Sequence, residues 1–544
     1  MSSFEVLHKD VLGRIGKLYT KNGVVETPTL TPVVNPYKNV LEPAEIKSIG
    51  FDLVITNAYL IKKHYGEVAV EMGVHSLLGV KGPVMTDSGA YQLLVYGDVE
   101  VGPREIFEYQ VALGSDIGVI LDIPTRLSSP KDRVREEVEE TLRRVREALT
   151  VDRRGMLLVG PVQGGLYLDL VAHSASALAN TDGVDLYAIG GPTQLLENYR
   201  FADLVKLVMT AKMYLRPDKP VHLFGAGHPL IIPLIVAMGI DLFDSASYAL
   251  YARDLRYMTP FKTYRLEELE ELPCSCPVCS SIDIGDLKEM PREEVEPLLA
   301  KHNLYVLLRE IRLTRQAIRE GTLWNLLESR AKLHPSLYPA IDMLRKYIHF
   351  IEKYHPTTHA KVSAEFFYDA KSRYRPTVYR HFLRLRDRYE PPRRRILVLL
   401  PETESKPPTR YGWVKELLAK LESLKEVVHF AVYSAVYGVI PLELDGTYPL
   451  SQYEAPNSLV GEVYSEVASD IAWYVRRYYS MYYKAGVVIL HYGEYGKVAH
   501  AVTSVLRSEG IRCEVLECQL DDLDATANLL RATVKLLLGG SSYA

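Results

Sequence analysis

Residues 221–247 read VHLFGAGHPLIIPLIVAMGIDLFDSAS. Two short apolar runs, VHLFGAG (221–227) and DLFDSAS (241–247), each end in small or polar residues and flank the chain's longest apolar stretch, residues 229–240. That stretch has about twelve residues and Pro233 inside it, whereas a membrane span needs about twenty. Working outward, the same unit recurs as TLTPVV (29–34), LVITNAY (53–59), VMTDSG (84–89), IGVILD (117–122), LLVGPVQG (157–164) and DLYAIGG (185–191). The segments between them, such as REEVEETLRRVREALT and FADLVKLVMTAKMYL, carry a helical period. Continuous apolar runs alternating with helices indicate parallel strands buried on both faces. Eight such units in about 250 residues predict a (β/α)8 barrel, with an open doubly wound sheet as the alternative.

Length and composition agree with a globular protein of more than one domain. The chain has 544 residues, 47% hydrophobic content and a formal net charge of −4. The N-terminal MSSFEVLHKD lacks a basic region followed by an apolar core, so no secretory signal is read and the cytoplasm is the expected compartment. Five cysteines in a chain of this size do not make a disulfide framework. Charge is uneven: residues 371–395 hold ten basic and two acidic residues, with Tyr374, Tyr379, Phe382 and Tyr389 between them. Such a run is either a solvated face and linker or a patch that tracks phosphates.

In a barrel of this kind the active site lies at the C-terminal ends of the strands. Those ends carry Asp87 and Ser88, Asp122, Gln163, Gly190 and Gly191, Gly225 to His228, and Asp244. One Asp after a strand is ordinarily a helix N-cap, but three around one mouth point to chemistry. Paired carboxylates suit metal-assisted hydrolysis or displacement at an anomeric carbon, where one attacks and another handles protons. Apart from His228 the mouth offers no further ligand cluster for the first. Gln163 and the backbone of Gly190 and Gly191 suit the polar edge of a planar heterocycle, and Tyr91 offers a stacking face.

Three cysteines fall together in LPCSCPVCS (272–280), and His302 follows Cys279 after 22 intervening residues. Cys274, Cys276, Cys279 and His302 have the composition of a closed structural zinc site, whereas a redox pair would open a helix in a thioredoxin-like unit. His302 begins a stretch with Leu304, Leu307, Leu308 and Ile311 at helical spacing, so the metal would pin that helix to the loop after Asp244. Cys513 and Cys518 read as ordinary buried or free thiols.

The strings TDSGAYQ (86–92), LDIPT (121–125), VQGG (162–165), IGG (189–191), HLFGAGHP (222–229), FDSASYALYARD (243–254), and CSCPVC (274–279) followed by KHN (301–303), in this order, resemble the archaeal tRNA-guanine transglycosylases. The resemblance runs from about residue 4 to about residue 355. It implies exchange of guanine 15 in the tRNA D-loop for 7-cyano-7-deazaguanine, the entry step to archaeosine. It further implies that Asp244 is the nucleophile at ribose C1′ and Asp87 the general acid/base. By the same resemblance Asp122 and Gln163 read the base edge, Gly190 and Gly191 supply backbone contacts, and Ser88 and Tyr91 line the pocket. Tyr91 stands where Phe is common in the family, a change that keeps a stacking face. A structural Zn2+ and a homodimer complete the implied picture.

The expected organisation is a catalytic domain over 1–360 containing the zinc site at 274–302, a basic linker or helical segment over 361–395, and a smaller α/β accessory domain over 396–544 that could bind tRNA. ILVLLP and VVILHYG read as its strands, EYGKVAHAVTSVLRSEG and DATANLLRATVKLLL as its helices. The closing LLLGGSSYA leaves no room for the PUA domain common in the family, so a separate PUA-type protein is an expected partner. LVLLPETESKPP faintly resembles the C-terminal domain of archaeosine synthase, a paralogue acting on the next step, but Glu402 follows Pro401 where that family carries Pro-Cys-Ser. Two alternatives are therefore weighed: a synthase-like enzyme acting on already modified tRNA, and a non-catalytic tRNA-binding subunit. The first tends to lose the barrel aspartates and zinc ligands and the second to lack a catalytic aspartate, yet this chain keeps them all.

Overall fold

The apolar runs of the first half are strands, and they close on themselves. The computed structural model describes residues 3–90, 101–359 and 364–539, divided into two units, Met1–His359 and Ala360–Ala544. In the first unit an antiparallel sheet comes first: β1 (Phe4–Asp10), β2 (Gly13–Thr20) and β3 (Gly23–Thr27). Eight parallel strands follow: β4 (Thr29–Val34), β5 (Val54–Asn57), β6 (Val84–Asp87), β7 (Ile117–Val119), β8 (Leu157–Val162), β9 (Leu186–Ile189), β10 (Val221–Leu223) and β11 (Leu242–Ser245). Each pairs with the next in sequence and β11 pairs back with β4, so the sheet is a closed barrel.

Side-chain alternation explains why both faces of each strand are apolar. Ile55, Met85, Val119, Val159, Ala188 and Leu242 share one core with Phe4, Leu18 and Val25 of the N-terminal sheet. Val54, Val84, Leu158, Tyr187 and Phe243 belong to a second core with helix residues such as Ile106, Val138, Val171 and Val208. Leu53, Ile117, Leu186 and Leu242, where strands begin, pack with the N-terminal sheet, which therefore plugs the N-terminal end of the barrel. Buried Arg14 of β2 grips Asp241, at the foot of β11, with Nε–Oδ1 2.7 Å and Nη2–Oδ2 2.8 Å.

After β11 the chain forms a short helix (Ser247–Arg253), a ribbon of β12 (Arg256–Met258) and β13 (Thr263–Arg265), and a 29-residue helix (Arg292–Glu320). Among the described residues no helix is long and apolar enough to cross a membrane.

The second unit contains β14 (Glu365–Phe366), β15 (Ile396–Pro401), β16 (Val428–Ser434), β17 (Gly438–Pro441), β18 (Tyr453–Glu454), β19 (Gly486–His491) and β20 (Cys513–Glu517). Five of these form one sheet in the order β17-β16-β15-β19-β20, parallel except for β17, and β14 pairs with β18. The basic segment is folded into this unit. Its helix, Pro376–Asp387, buries Val378 and Leu385 in the unit's core, and Arg375 and Arg380 are themselves buried. Arg373 pairs with Asp470, whereas Arg384, Arg386, Arg388, Arg393 and Arg395 are exposed.

Candidate active site and metal centre

Strand register brings the polar strand ends to one mouth. Asn57 and Asp87 are register partners at the ends of β5 and β6, and Asn57 Nδ2 donates to Asp87 Oδ2 at 3.2 Å. Asn57 Oδ1 also accepts from Leu60 N at 2.9 Å, capping the next helix, so this amide is oriented from both sides. Ser88 follows directly and donates Oγ–H to Ile120 O at 2.9 Å, which ties the end of β6 to the exit of β7.

Asp122 and Gln163 form the second group. Gln163 Nε2 donates to Asp122 Oδ2 at 2.5 Å, and its Oε1 accepts from Thr125 N at 3.3 Å. Gly190, just past β9, lies against this amide: a β-carbon there would stand 2.2 Å from Gln163 Nε2. Glycine is required by that approach, not by its backbone angles. Gly191 follows with φ 75°.

Asp244, in β11, forms the third. Its Oδ1 accepts from His222 Nε2 at 2.8 Å and from Gly225 N at 3.1 Å. Gly225 has φ 69°, a conformation that glycine adopts without strain. Tyr91, expected at the pocket wall, lies outside the described residues.

Asp87 responds to the other two carboxylates. Burial, then the charges of Asp122 and Asp244, push the Asp87 carboxyl up to about 7. Burial likewise raises Asp122 to about 6, against the Gln163 hydrogen bond and the charge of Arg144, which lower it. The mouth therefore holds a carboxyl group that is half protonated near neutral pH, beside another fixed by donors.

The sequence reading missed Asn57 and His222. Both were visible as polar residues in otherwise apolar strand runs, but only the register shows which aspartate each one touches.

Cys274, Cys276, Cys279 and His302 also converge, with one donor atom from each lying within 4.8 Å of the others. Cys276 Sγ is 3.6 Å from Cys279 Sγ and from His302 Nδ1, and Cys279 Sγ is 3.2 Å from Nδ1. His302 Nε2 donates to Met258 O at 2.8 Å, which leaves Nδ1 as the electron-pair donor facing the sulfurs. Tyr257 stacks on the His302 ring at 3.6 Å, and its hydroxyl is 3.3 Å from Cys279 Sγ. The cluster can hold a metal ion. Next to it, Asn303 Oδ1 accepts from Met258 N at 2.9 Å, and its Nδ2 donates to Tyr248 O and Arg256 O, both at 3.2 Å. Two adjacent residues of the long helix thus hold the segment that leaves Asp244.

Comparison with known proteins assigns this architecture. The queuine tRNA-ribosyltransferase profile matches residues 10–336. The chain belongs to the queuine tRNA-ribosyltransferase family. A second profile, described as a domain of unknown function (DUF5591), matches residues 378–528. Over 457 residues the chain is 45% identical to a protein of Pyrobaculum aerophilum named tRNA-guanine(15) transglycosylase, covering 83% of this chain and 90% of that one. Proteins of the same name from Methanocaldococcus jannaschii and Aeropyrum pernix are 44% and 43% identical, over 84% and 86% of this chain and 68% and 91% of theirs. The family's reaction class is glycosyl transfer on tRNA, and the match covers the whole eight-stranded barrel.

Proposed function

We propose that this enzyme exchanges guanine 15 in the D-loop of tRNA for 7-cyano-7-deazaguanine by double displacement through a covalent glycosyl-aspartate. Asp244 attacks C1′, Asp87 protonates the leaving base, and Asp122, Gln163, Gly190 and Gly191 read the base edge beside Ser88 and Tyr91. The observation that carries the reading is the division of labour among the three carboxylates. Asp244 takes two donors on one oxygen, Asp122 is bound to Gln163, and Asp87 is a proton donor poised near neutrality. Cleavage of an N-glycosidic bond develops positive charge at C1′ and negative charge on the base, and this set answers both. The target base must leave its stack, at a cost of a few kcal/mol.

The metal in this reading is zinc, held by Cys274, Cys276, Cys279 and His302. With Zn–S of about 2.3 Å and Zn–N of about 2.0–2.1 Å, a tetrahedral ion sets ligand-to-ligand distances of about 3.5–3.8 Å. The two 3.6 Å spacings from Cys276 Sγ fall in this range and the 3.2 Å from Cys279 Sγ to His302 Nδ1 is shorter, and the Met258 carbonyl on His302 Nε2 is the kind of outer partner that fixes a ligating imidazole. Four protein donors close the coordination sphere, so the ion's contribution is structural. The proposed partners are tRNA, a second copy of the chain, and a separate PUA-type tRNA-binding protein.

The test is to incubate the protein with unmodified tRNA transcript and radiolabelled guanine, then map the label. Incorporation at position 15 is expected. No incorporation of guanine, with addition of nitrogen to the nitrile of tRNA already carrying the modified base, would instead support the synthase-like reading.

A further inference from the structure

The two oxygens of Asp244 have different surroundings. Oδ1 accepts from His222 Nε2 at 2.8 Å and Gly225 N at 3.1 Å, while Oδ2 takes no hydrogen bond among the described residues. His222 sits on the neighbouring strand β10, in register with Leu242, and its side chain is 0% exposed. Its ring packs edge-on against Phe224 at 4.8 Å, and Nδ1 is buried with no partner among the described residues. An ionised carboxylate only accepts, so Nε2 carries the ring proton. Nε2 therefore has one target, Oδ1 of Asp244.

We infer that His222 is a positioning residue: with the Gly225 amide it holds Oδ1 of Asp244 so that Oδ2 attacks, and it favours the free carboxylate over the glycosyl ester. This rests on the reading of Asp244 as nucleophile. In the first displacement an Oδ2 lone pair forms the bond to C1′, the C1′–N9 pair leaves with guanine, and N9 takes the Asp87 proton. In the second, the incoming base returns its N9 proton to Asp87, the N9 pair forms the new bond to C1′, and the C1′–Oδ2 pair returns to Asp244. The hydrogen bonds at Oδ1 are charge-assisted while Asp244 is ionised and about half as strong once it is esterified. A donor at Oδ1 therefore makes Asp244 a better leaving group, and its loss lets the ester persist.

The experiment uses the full chain with a tRNA transcript, denaturing gels to count covalent adduct, peptide mapping to place it, and a chase with free guanine. In His222→Phe the adduct should survive the chase about 10- to 100-fold longer than in wild type, the kinetic equivalent of one hydrogen bond to a charged group. Melting temperature and tRNA affinity should stay near wild type. His222→Gln, whose amide can restore the donor, should recover a fast chase. A wild-type chase rate in His222→Phe overturns the inference, as does a slow chase in folded His222→Gln, which decides the matter if the Phe variant fails to fold. Mapping of the wild-type adduct to the peptide containing Asp87 would overturn the nucleophile assignment itself, a distinguishable result.

Discussion

Asp87 shows how a single side chain acquires a role from its surroundings. An isolated aspartate is ionised at neutral pH and cannot donate a proton. Here burial and two neighbouring carboxylates raise it to about 7, so the protonated form holds below that value and is lost as pH rises through it. With Asp87 as general acid, kcat/KM for tRNA should fall about tenfold per pH unit above pH 7, and Asp87→Asn should remove that limb along with most of the activity. A profile flat to pH 9 would count against the role. Gly190 gives a steric prediction. In Gly190→Ala the new methyl would stand 2.2 Å from Gln163 Nε2, so the amide must leave Asp122. Base incorporation should drop by 10²-fold or so, with a raised KM for the free base and little change in melting temperature. Asp87, Asp122, Gln163 and Asp244 were legible because strand-end position is a one-dimensional property. Asn57 and His222 were not, because their meaning lies in cross-strand pairs that a single sequence does not print.

At the scale of elements, the cluster of three cysteines and a histidine and the long helix form one device. His302 and Asn303 grip Met258, Arg256 and Tyr248, and the cysteines grip His302. Cys276→Ala should abolish stoichiometric metal binding and lower the melting temperature by on the order of 10 °C, since a structural metal contributes directly to folding free energy. Zinc content by atomic absorption and calorimetry check both; full metal with unchanged melting would refute the brace. The barrel strands were legible because parallel strands buried on both faces leave continuous apolar runs, and each of the eight runs contains its strand. The antiparallel sheet of residues 4–27 was missed because β1 alternates weakly and carries several exposed polar residues. In the second unit β15 and β19 show as continuous apolar runs, whereas β16, VHFAVYS, does not, because His429 interrupts its run near the start.

For the whole molecule, tRNA is a polyanion and the chain carries a formal net charge of −4, so binding must rely on local clusters. Residues 371–395 are predominantly basic in sequence, yet folding withdraws Arg375 and Arg380 into the interior and pairs Arg373 with Asp470. Arg393 and Arg395 remain exposed. Charge reversal across Arg393–Arg395 should weaken tRNA affinity and flatten its dependence on salt concentration, with no change in the rate of the trapped chemical step. Unchanged affinity and slope would show that the exposed arginines take no part. Burial could not be read from composition, which counts a charge without saying whether water reaches it. The central claim, that one aspartate of the barrel mouth carries the ribose between two bases, is tested most directly by trapping the tRNA adduct and sequencing the modified peptide. The account predicts a ribosyl ester on Asp244, absent in Asp244→Ala although that variant still binds tRNA. A modified peptide containing Asp87, or normal turnover by Asp244→Ala, would contradict it.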